Sequence, residues 1–253
     1  MSDAAGKELD YFTPASLRVE LVLLTVRDGR LAVLLVKRHS TPFQGCWALP
    51  GGGLGDHEDL DGASQRLLTL TTGLEHDPWH AEQLRSYVST VPAQQTAGAA
   101  RSASEQSDEQ VNAQRSVSVA YMVFMPVGTD PAPGSAAEAF RWWAVDDLSD
   151  DGPVLAFDHA SIIADAVDRC RSKLEYTTVA ASFLQEPFTL GELRRIYENV
   201  WGVKLHHSNF ARKLTSSPGY LVAEVDGSPG RATLYRRGSA QFVMPPIPRP
   251  VGE

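Results

Sequence analysis

The chain of 253 residues is long enough for two domains, each with its own core. Hydrophobic residues make up 43% of it and charged residues 21%, as in ordinary globular proteins, and no apolar run approaches the roughly 20 residues that a membrane-spanning helix needs. The opening MSDAAGKELD has no basic start followed by an apolar stretch, so we expect a cytoplasmic protein without a secretion signal. Cys46 and Cys170 lack metal-ligand spacing and predict reduced thiols, with neither a disulfide framework nor a zinc site.

The net charge of −8 conceals an asymmetry along the chain. Residues 189–237 contain eight basic and four acidic side chains, a balance of +4, so the remainder carries −12. The basic residues are Arg194, Arg195, Lys204, Arg212, Lys213, Arg231, Arg236 and Arg237. A nucleic-acid partner therefore has to be judged from this basic module and not from the total charge.

The first half of the chain has the pattern of a sheet with one helix. Two β-rich apolar runs, SLRVELVLLTV and LAVLLVKRH, are joined through Asp28-Gly29, a strong hairpin signal. A glycine-rich loop at 51–55 precedes a helix predicted over 60–72 and closed by Gly73. Further strands are predicted in LRSYVST, SVSVAYMVFMP and AFRWWAV. The segment 93–114 has almost no large apolar residue and is predicted to be a mobile loop.

Past Asp150 the pattern becomes helical. Asp158 is the predicted N-cap of a helix whose buried face is formed by apolar residues at helical spacing. Those residues are Ile162, Ile163, Ala166, Val167, Cys170 and Leu174. A second helix is predicted in FTLGELRRIYENVWG, where Thr189 and Glu192 form a capping box and Gly202 ends the helix.

A third helix is predicted in SNFARKLTS with Ser208 as its N-cap. The runs YLVAEV and ATLYRR then flank DGSPGR, which predicts a β-hairpin. Three helices followed by a hairpin is the order of a winged helix-turn-helix. The sequence therefore predicts two domains, at 1–152 and 153–253.

The glycine-rich loop resembles the signature of the Nudix hydrolases, in which glycine, five residues, glutamate and seven residues precede R-E-U-x-E-E-x-G-U, where U is a bulky aliphatic residue. With Gly52 as the first glycine, the family's scaffold positions fall on Glu58, Arg66, Leu68, Gly73 and Leu74. The family's three glutamates, which share one helix face and bind Mg²⁺, fall on Leu67, Leu70 and Thr71. Two leucines and a threonine cannot supply the oxygen ligands of Mg²⁺, so we expect neither a metal site nor hydrolysis. Burial of Leu67 and Leu70 against the sheet is expected instead.

The residues around this loop are suited to a nucleotide diphosphate. Arg38 can pair with a phosphate, Phe43 and Trp47 can stack on a base, and the backbone N–H groups of Gly51, Gly52 and Gly53 can turn toward an anion. The resemblance to the Nudix family implies that Glu58 and Arg66 support the loop, as the residues at these positions commonly do in that family. The alternatives are that Trp47 belongs to the core, that Arg38 is a solvated strand end, and that the region is a packed scaffold without a ligand.

Three stretches together resemble the NrtR-type Nudix-related transcriptional regulators: STPFQGCWALPGGG, VLAFDHASII, and FTLGELRRIYENVWG continuing into SNFARKL and LYRR. The resemblance spans roughly residues 12–238. It implies an α/β (α+β) fold, namely a Nudix-like α/β/α sandwich followed by a winged helix-turn-helix. It also implies a repressor of NAD-metabolism genes that binds a palindromic operator as a homodimer and is released by ADP-ribose or a related nucleotide. No cofactor is implied beyond that effector.

The third helix has the residues of a recognition helix. Ser208, Asn209, Arg212 and Lys213 lie near its start, and Phe210 and Leu214 are expected to face the core. Asparagine can read adenine and arginine can read guanine, so Asn209 and Arg212 are the candidates for base contacts. Lys213, Arg236 and Arg237 are candidates for phosphate contacts, and Arg231, at the hairpin turn, is a candidate for contact with a groove or the DNA backbone. The alternative for each is a merely solvated charge.

Two other functions stay open at this point. An active Nudix hydrolase would have to recruit carboxylates from outside the signature, such as Asp56, Asp59, Asp61 or Glu75. An interaction scaffold would bind neither a nucleotide nor an operator.

Overall fold

The computed structural model describes residues 16–73, 81–91, 114–131, 139–149, 151–224 and 232–250. The predicted loop at 93–114 lies outside these residues, except that Gln114 begins a strand. Within the described ranges, no helix is long and apolar enough to cross a membrane.

The described chain forms ten strands and four α-helices. The strands are β1 (Ser16–Arg27), β2 (Arg30–Lys37), β3 (Trp47–Ala48), β4 (Gly51–Gly53), β5 (Ala81–Val91), β6 (Gln114–Phe124), β7 (Phe140–Ala144), β8 (Phe188–Thr189), β9 (Leu221–Glu224) and β10 (Leu234–Arg237). The helices are α1 (Leu60–Thr72), α2 (His159–Tyr176), α3 (Leu190–Trp201) and α4 (His207–Ser216). Short 3-10 turns lie at Val145–Asp147 and Thr178–Phe183.

Strands β1 to β7 form one mixed sheet centred on β1. β1 pairs antiparallel with β2 and β4 and parallel with β6, while β5 pairs with β6 and β7 with β2. Asp28 and Gly29 both have positive φ, 50° and 75°, as the tight turn between β1 and β2 requires. The predicted hairpin is therefore confirmed.

Helices cover both faces of this sheet, as the predicted α/β/α sandwich requires. Odd-numbered residues of β1, such as Leu21 and Leu23, share a core with Ala63 and Leu67 of α1. Even-numbered residues, such as Val22 and Leu24, belong to the core on the opposite face, which contains the buried side of α2. This second core continues into the C-terminal helices.

The helix boundaries follow from their caps. Asp59 accepts a hydrogen bond from the backbone N–H of Gly62 at the start of α1, and Gly73, at φ 66°, ends the helix as predicted. Asp158 directly precedes α2, but its side chain makes no capping hydrogen bond. All six predicted apolar residues of α2 are buried.

The C-terminal module is a winged helix. α3 begins with the predicted capping box, since Thr189 accepts from the N–H of Glu192 and the Glu192 carboxylate accepts from the N–H of Thr189. The prediction that Ser208 caps the next helix is wrong, because α4 starts at His207 and its N-cap, His206, makes no side-chain capping bond. The three-stranded sheet β8-β10-β9 forms the wing.

Candidate ligand site and nucleic-acid interface

The glycine-rich loop is held in shape by Glu58 and Arg66. The Glu58 carboxylate accepts hydrogen bonds from the N–H of Gly55 at 2.6 Å and from Arg66 Nε at 2.8 Å. Arg66 also donates to the carbonyl oxygen of Gly53 at 3.0 Å. The hydrogen bond from Arg66, together with that from Gly55, lowers the pKa of Glu58 to about 2. Both side chains therefore support the loop from beneath.

The three positions that would carry the metal-binding glutamates do not fit Mg²⁺. Leu67 is only 6% exposed, and a β carbon at Gly52 would lie 2.7 Å from its Cδ2 atom, so this leucine packs directly against the loop. Leu70 is 44% exposed, so its expected burial against the sheet is wrong. None of the three side chains offers a carboxylate, and the described residues contain no group of three or more His, Cys, Asp or Glu side chains placed to hold a metal ion.

An aromatic and cationic cluster lies next to the loop. The rings of Phe43 and Phe157 are 4.6 Å apart between centroids, and the guanidinium groups of Arg38 and Arg18 lie 5.0 and 5.9 Å from the Phe157 ring. Phe43 and Phe157 have φ of 63° and 51°, a backbone region that costs energy for phenylalanine and that is concentrated at functional sites. Arg38 is oriented by a 2.9 Å hydrogen bond from its Nε to the carbonyl oxygen of Pro42. Two half-buried rings and two cations thus face one region.

Glu20 lies beneath this cluster and is only 1% exposed. One carboxylate oxygen, Oε1, accepts from Arg18 Nε at 2.8 Å, while Oε2 is buried and has no hydrogen-bond partner among the described residues. Gly51 lies against it, because a β carbon there would be 1.8 Å from Oε2. Desolvation raises the pKa of Glu20 to about 7, and the positive charges of Arg18 and Arg38 oppose the shift.

His159 connects the segment just before the loop to the first turn of α2. Its Nδ1 accepts a hydrogen bond from the backbone N–H of Leu49 at 2.8 Å, and its ring centroid lies 5.4 Å from that of Phe157. Burial, reinforced by the charges of Arg18 and Arg38, lowers the pKa of His159 to about 3. His159 is therefore a neutral imidazole at physiological pH.

Trp47 lies apart from this cluster, on β3. Its ring packs edge-on against Trp143 at 5.6 Å, and its backbone is bonded to Val154 and Ala156. The structure thus brings Arg38 and Phe43 together and places the Trp47 ring against Trp143 of β7.

Sequence reasoning missed Arg18, Glu20, Phe157 and His159. Arg18 and Glu20 carried a detectable signal, since they are two charges with spacing i, i+2 inside an otherwise apolar strand and so fall on one face of it. Phe157 and His159 stand in the stretch VLAFDHASII, but nothing in their local pattern indicates that the chain folds them next to the loop.

The surface of α4 is suited to DNA. Ser208, Asn209 and Arg212 are exposed, Lys213 is half-buried, and Phe210 and Leu214 are buried as predicted. Phe210 packs edge-on against Tyr197 of α3 at 5.1 Å, which fixes α4 on the rest of the module. The side chains of Asn209 and Arg212 make no hydrogen bond or ion pair with any part of the chain that the structure describes. They are therefore available to a partner.

Arg236 and Arg237, on strand β10 of the wing, are engaged inside the module. Arg236 forms an ion pair with Glu224, and Arg237 donates to Glu186 at 2.9 Å and to Ser182 at 3.2 Å. Both remain exposed enough to reach a phosphate, but their carboxylate partners offset their charge. Arg231 lies outside the described residues.

Comparison with known proteins agrees with this architecture. Residues 17–166 match the NUDIX domain family, and residues 180–236 match the NrtR DNA-binding winged helix domain.

The chain is 29% identical over 245 residues to a protein of Acinetobacter baylyi named ADPR responsive transcriptional repressor NtrR, covering 92% of this chain and 86% of that one. A crystal structure of Shewanella oneidensis NrtR matches with a TM-score of 0.69 at 28% identity, covering 90% of this chain and 98% of that one. The same protein complexed with a 27mer DNA matches with a TM-score of 0.67 at 29% identity, covering 90% and 97%. The chain therefore belongs to the Nudix family and carries an NrtR-type DNA-binding winged helix domain.

Proposed function

We propose that the protein is a DNA-binding transcriptional repressor of NAD-biosynthesis or salvage genes, released from its operator by ADP-ribose or a related nucleotide. The observation that carries the DNA-binding part is the exposed face of α4, where Asn209 and Arg212 have no partner within the described chain. The relative named as an ADPR responsive repressor and the relative crystallised with DNA support the same function. A homodimer would place two such helices on two half-sites about one helical turn apart.

Arg18, Arg38, Phe43 and those backbone N–H groups at 51–53 that point away from the paired strand β1 form the proposed effector site. The guanidinium groups would pair with the diphosphate, and the half-buried Phe43 and Phe157 rings would supply the apolar contact to a base or ribose. Trp47 would act only indirectly, by shaping the strand that precedes the loop. Glu58 and Arg66 would keep the loop in its shape. Their hydrogen bond to each other and the bond from Arg66 to the carbonyl oxygen of Gly53 support this role.

We also propose that the Nudix domain does not hydrolyse its ligand. The metal positions carry Leu67, Leu70 and Thr71, and two of the alternative carboxylates are already engaged. Asp59 caps α1, and Asp61 accepts a hydrogen bond from the Tyr121 hydroxyl at 2.6 Å. Incubation with ADP-ribose and Mg²⁺ should therefore release no AMP, and metal-dependent cleavage would favour the hydrolase alternative.

A mobility shift tests the DNA-binding function. DNA from upstream of NAD-biosynthesis genes should be retarded, scrambled DNA should not, and ADP-ribose should abolish the shift. Arg212→Ala should weaken specific binding by roughly 1–3 kcal/mol, because a bidentate base contact is lost. Arg30→Ala is the matched control, since Arg30 is exposed on the other domain and paired with Asp147. Equal binding of both DNAs, or an Arg212 variant that behaves like the control, would refute the assigned interface.

A further inference from the structure

A buried carboxylate, Glu20, lies among the cations beneath the candidate effector site. Anchoring a phosphate requires the cations but not this carboxylate. Arg18 and Glu20 project from the same face of β1, and the Arg18 guanidinium bonds only one of the two Glu20 oxygens within the described chain. The other oxygen is enclosed against Gly51, the first glycine of the loop. A carboxylate with one oxygen desolvated and unpaired is energetically unfavourable when ionised.

The charged and titratable groups on the elements around Glu20 define what can change there, and β6, which pairs with β1 at Glu20 through Ala120, places no titratable side chain at that position. Arg18 lies on the same strand, Arg38 follows β2, His159 begins α2, and the loop contributes the uncharged Gly51. Arginine is not deprotonated in proteins, and the buried His159 is neutral near pH 7. Glu20 is therefore the group of this cluster whose protonation can respond to a ligand in the neutral range.

We propose that nucleotide binding at this site is coupled to the uptake of one proton by Glu20. The ligand's diphosphate takes Arg18 and Arg38 as its partners and brings its own negative charge next to the carboxylate. Glu20 loses part of the positive charge that keeps it ionised, so its carboxylate binds a proton from solvent and becomes a neutral acid. This inference rests on the proposed effector site and adds a linkage between effector affinity and pH.

The linkage has a definite direction. The pKa of Glu20 is about 7 without ligand, and both the withdrawn cations and the added anion raise it further in the complex. The complex then holds more protons than the free protein above neutral pH, so the affinity for ADP-ribose falls as the pH rises from 7 to 8.5. The diphosphate diester of ADP-ribose does not itself titrate in this range.

Isothermal titration calorimetry measures the proton directly. ADP-ribose is titrated into the full-length protein at pH 7.5 in buffers of different ionisation enthalpy, and the slope of the observed enthalpy gives the protons bound per site. We expect an uptake of roughly half a proton or more in the wild type. In Glu20→Gln, which keeps an oxygen for Arg18 but cannot titrate, we expect binding without proton uptake.

Glu175→Gln is the matched control, because Glu175 lies near the far end of α2, about 24 Å along the helix from His159. This variant should take up the same proton as the wild type. The pH dependence of the wild-type Kd is a second measurement that does not require the Glu20 variant to fold.

Each outcome of these measurements tests a different part of the proposals. Binding without proton uptake, with a Kd that does not change from pH 7 to 8.5, would overturn the inference and leave the proposed effector intact. Proton uptake that persists in Glu20→Gln would assign the proton to another group and also overturn it. A wild-type protein that shifts operator DNA but gives no binding heat with ADP-ribose would overturn both this inference and the effector part of the proposed function.

Discussion

Two buried titratable residues near the candidate effector loop, Glu20 and His159, have opposite pKa shifts, and both are affected by the charges of Arg18 and Arg38. The raised pKa of Glu20 means that the folded state holds a proton that the unfolded chain releases between pH about 4.5 and about 7. Its stabilising effect is present below this window and is lost as the pH rises through it. His159, with its pKa lowered to about 3, acts in the other direction, since its effect is present above pH about 6.5 and is lost as the pH falls.

A comparison of the wild type with Glu20→Gln isolates the contribution of Glu20 to stability, because both proteins contain His159. The free energy of unfolding of the wild type should fall relative to that of the variant as the pH rises from 4.5 to 7, by about 3 kcal/mol. Urea unfolding at a series of pH values measures this difference. A difference that is constant with pH would show that Glu20 is not desolvated in the folded protein.

At this scale the sequence already named part of the candidate site. Arg38 and Phe43 could be chosen because they precede a recognisable glycine loop, and Glu58 and Arg66 because they stand at fixed spacing after it. Arg18, Phe157 and His159 join them only through long-range folding, by strand β1 and by the turn before α2. Leu70 was misjudged because helical spacing alone does not indicate how far the sheet extends beneath a helix.

Among the helices and strands, α3 has the strongest local sequence signals. A mutation in its capping box measures how much such a signal contributes to the free energy of unfolding. Thr189→Ala removes the oxygen that accepts from the Glu192 N–H and should lower the free energy of unfolding by about 1 kcal/mol. Thr215→Ala is the control, since its hydroxyl bonds only carbonyl groups of its own helix. Equal stability of the two variants in urea unfolding would contradict the cap's contribution.

The helices and turns that were predicted most accurately are those with clear turn or capping residues at their ends. Three such features occur at their predicted positions, each for a local stereochemical reason: the Asp28-Gly29 turn, the C-cap Gly73 and the capping box of α3. The N-cap of α4 is His206, two residues before the predicted Ser208, and the sequence gives no local signal for it because histidine is not a typical capping residue. Strands β3, β4 and β8 have two or three residues each, too few for a period-2 pattern, and exist because neighbouring strands pair with them.

In the whole molecule, the core on one face of the Nudix sheet continues into the winged helix. Trp201 of α3 donates its indole N–H to the carbonyl oxygen of Arg171 at 2.9 Å, and Arg171 donates to that of Val200 at 3.1 Å. α2 thus contacts the residues just before the candidate effector loop through His159 at one end and the DNA-binding module near the other. A ligand can change DNA affinity only if its affinities for the DNA-competent and the released forms of the protein differ. The continuous packing between the two domains provides a route for such coupling.

The proposed dimer makes a quantitative prediction about salt. If each subunit neutralises about four phosphates, a plot of log K against log salt concentration should have a slope near −7, from roughly −0.9 per phosphate contact. Fluorescence anisotropy of a labelled operator between 50 and 200 mM salt measures the slope. A slope near zero would refute DNA binding through the basic module.

The most direct test of the effector-controlled repressor is the affinity for a labelled operator with and without saturating ADP-ribose, measured by anisotropy at fixed salt and pH. The coupling between the two sites should weaken operator binding at least tenfold, equivalent to about 1.4 kcal/mol, while binding to scrambled DNA stays unchanged. Operator affinity that is the same with and without ADP-ribose would contradict the proposed control of this protein by the nucleotide.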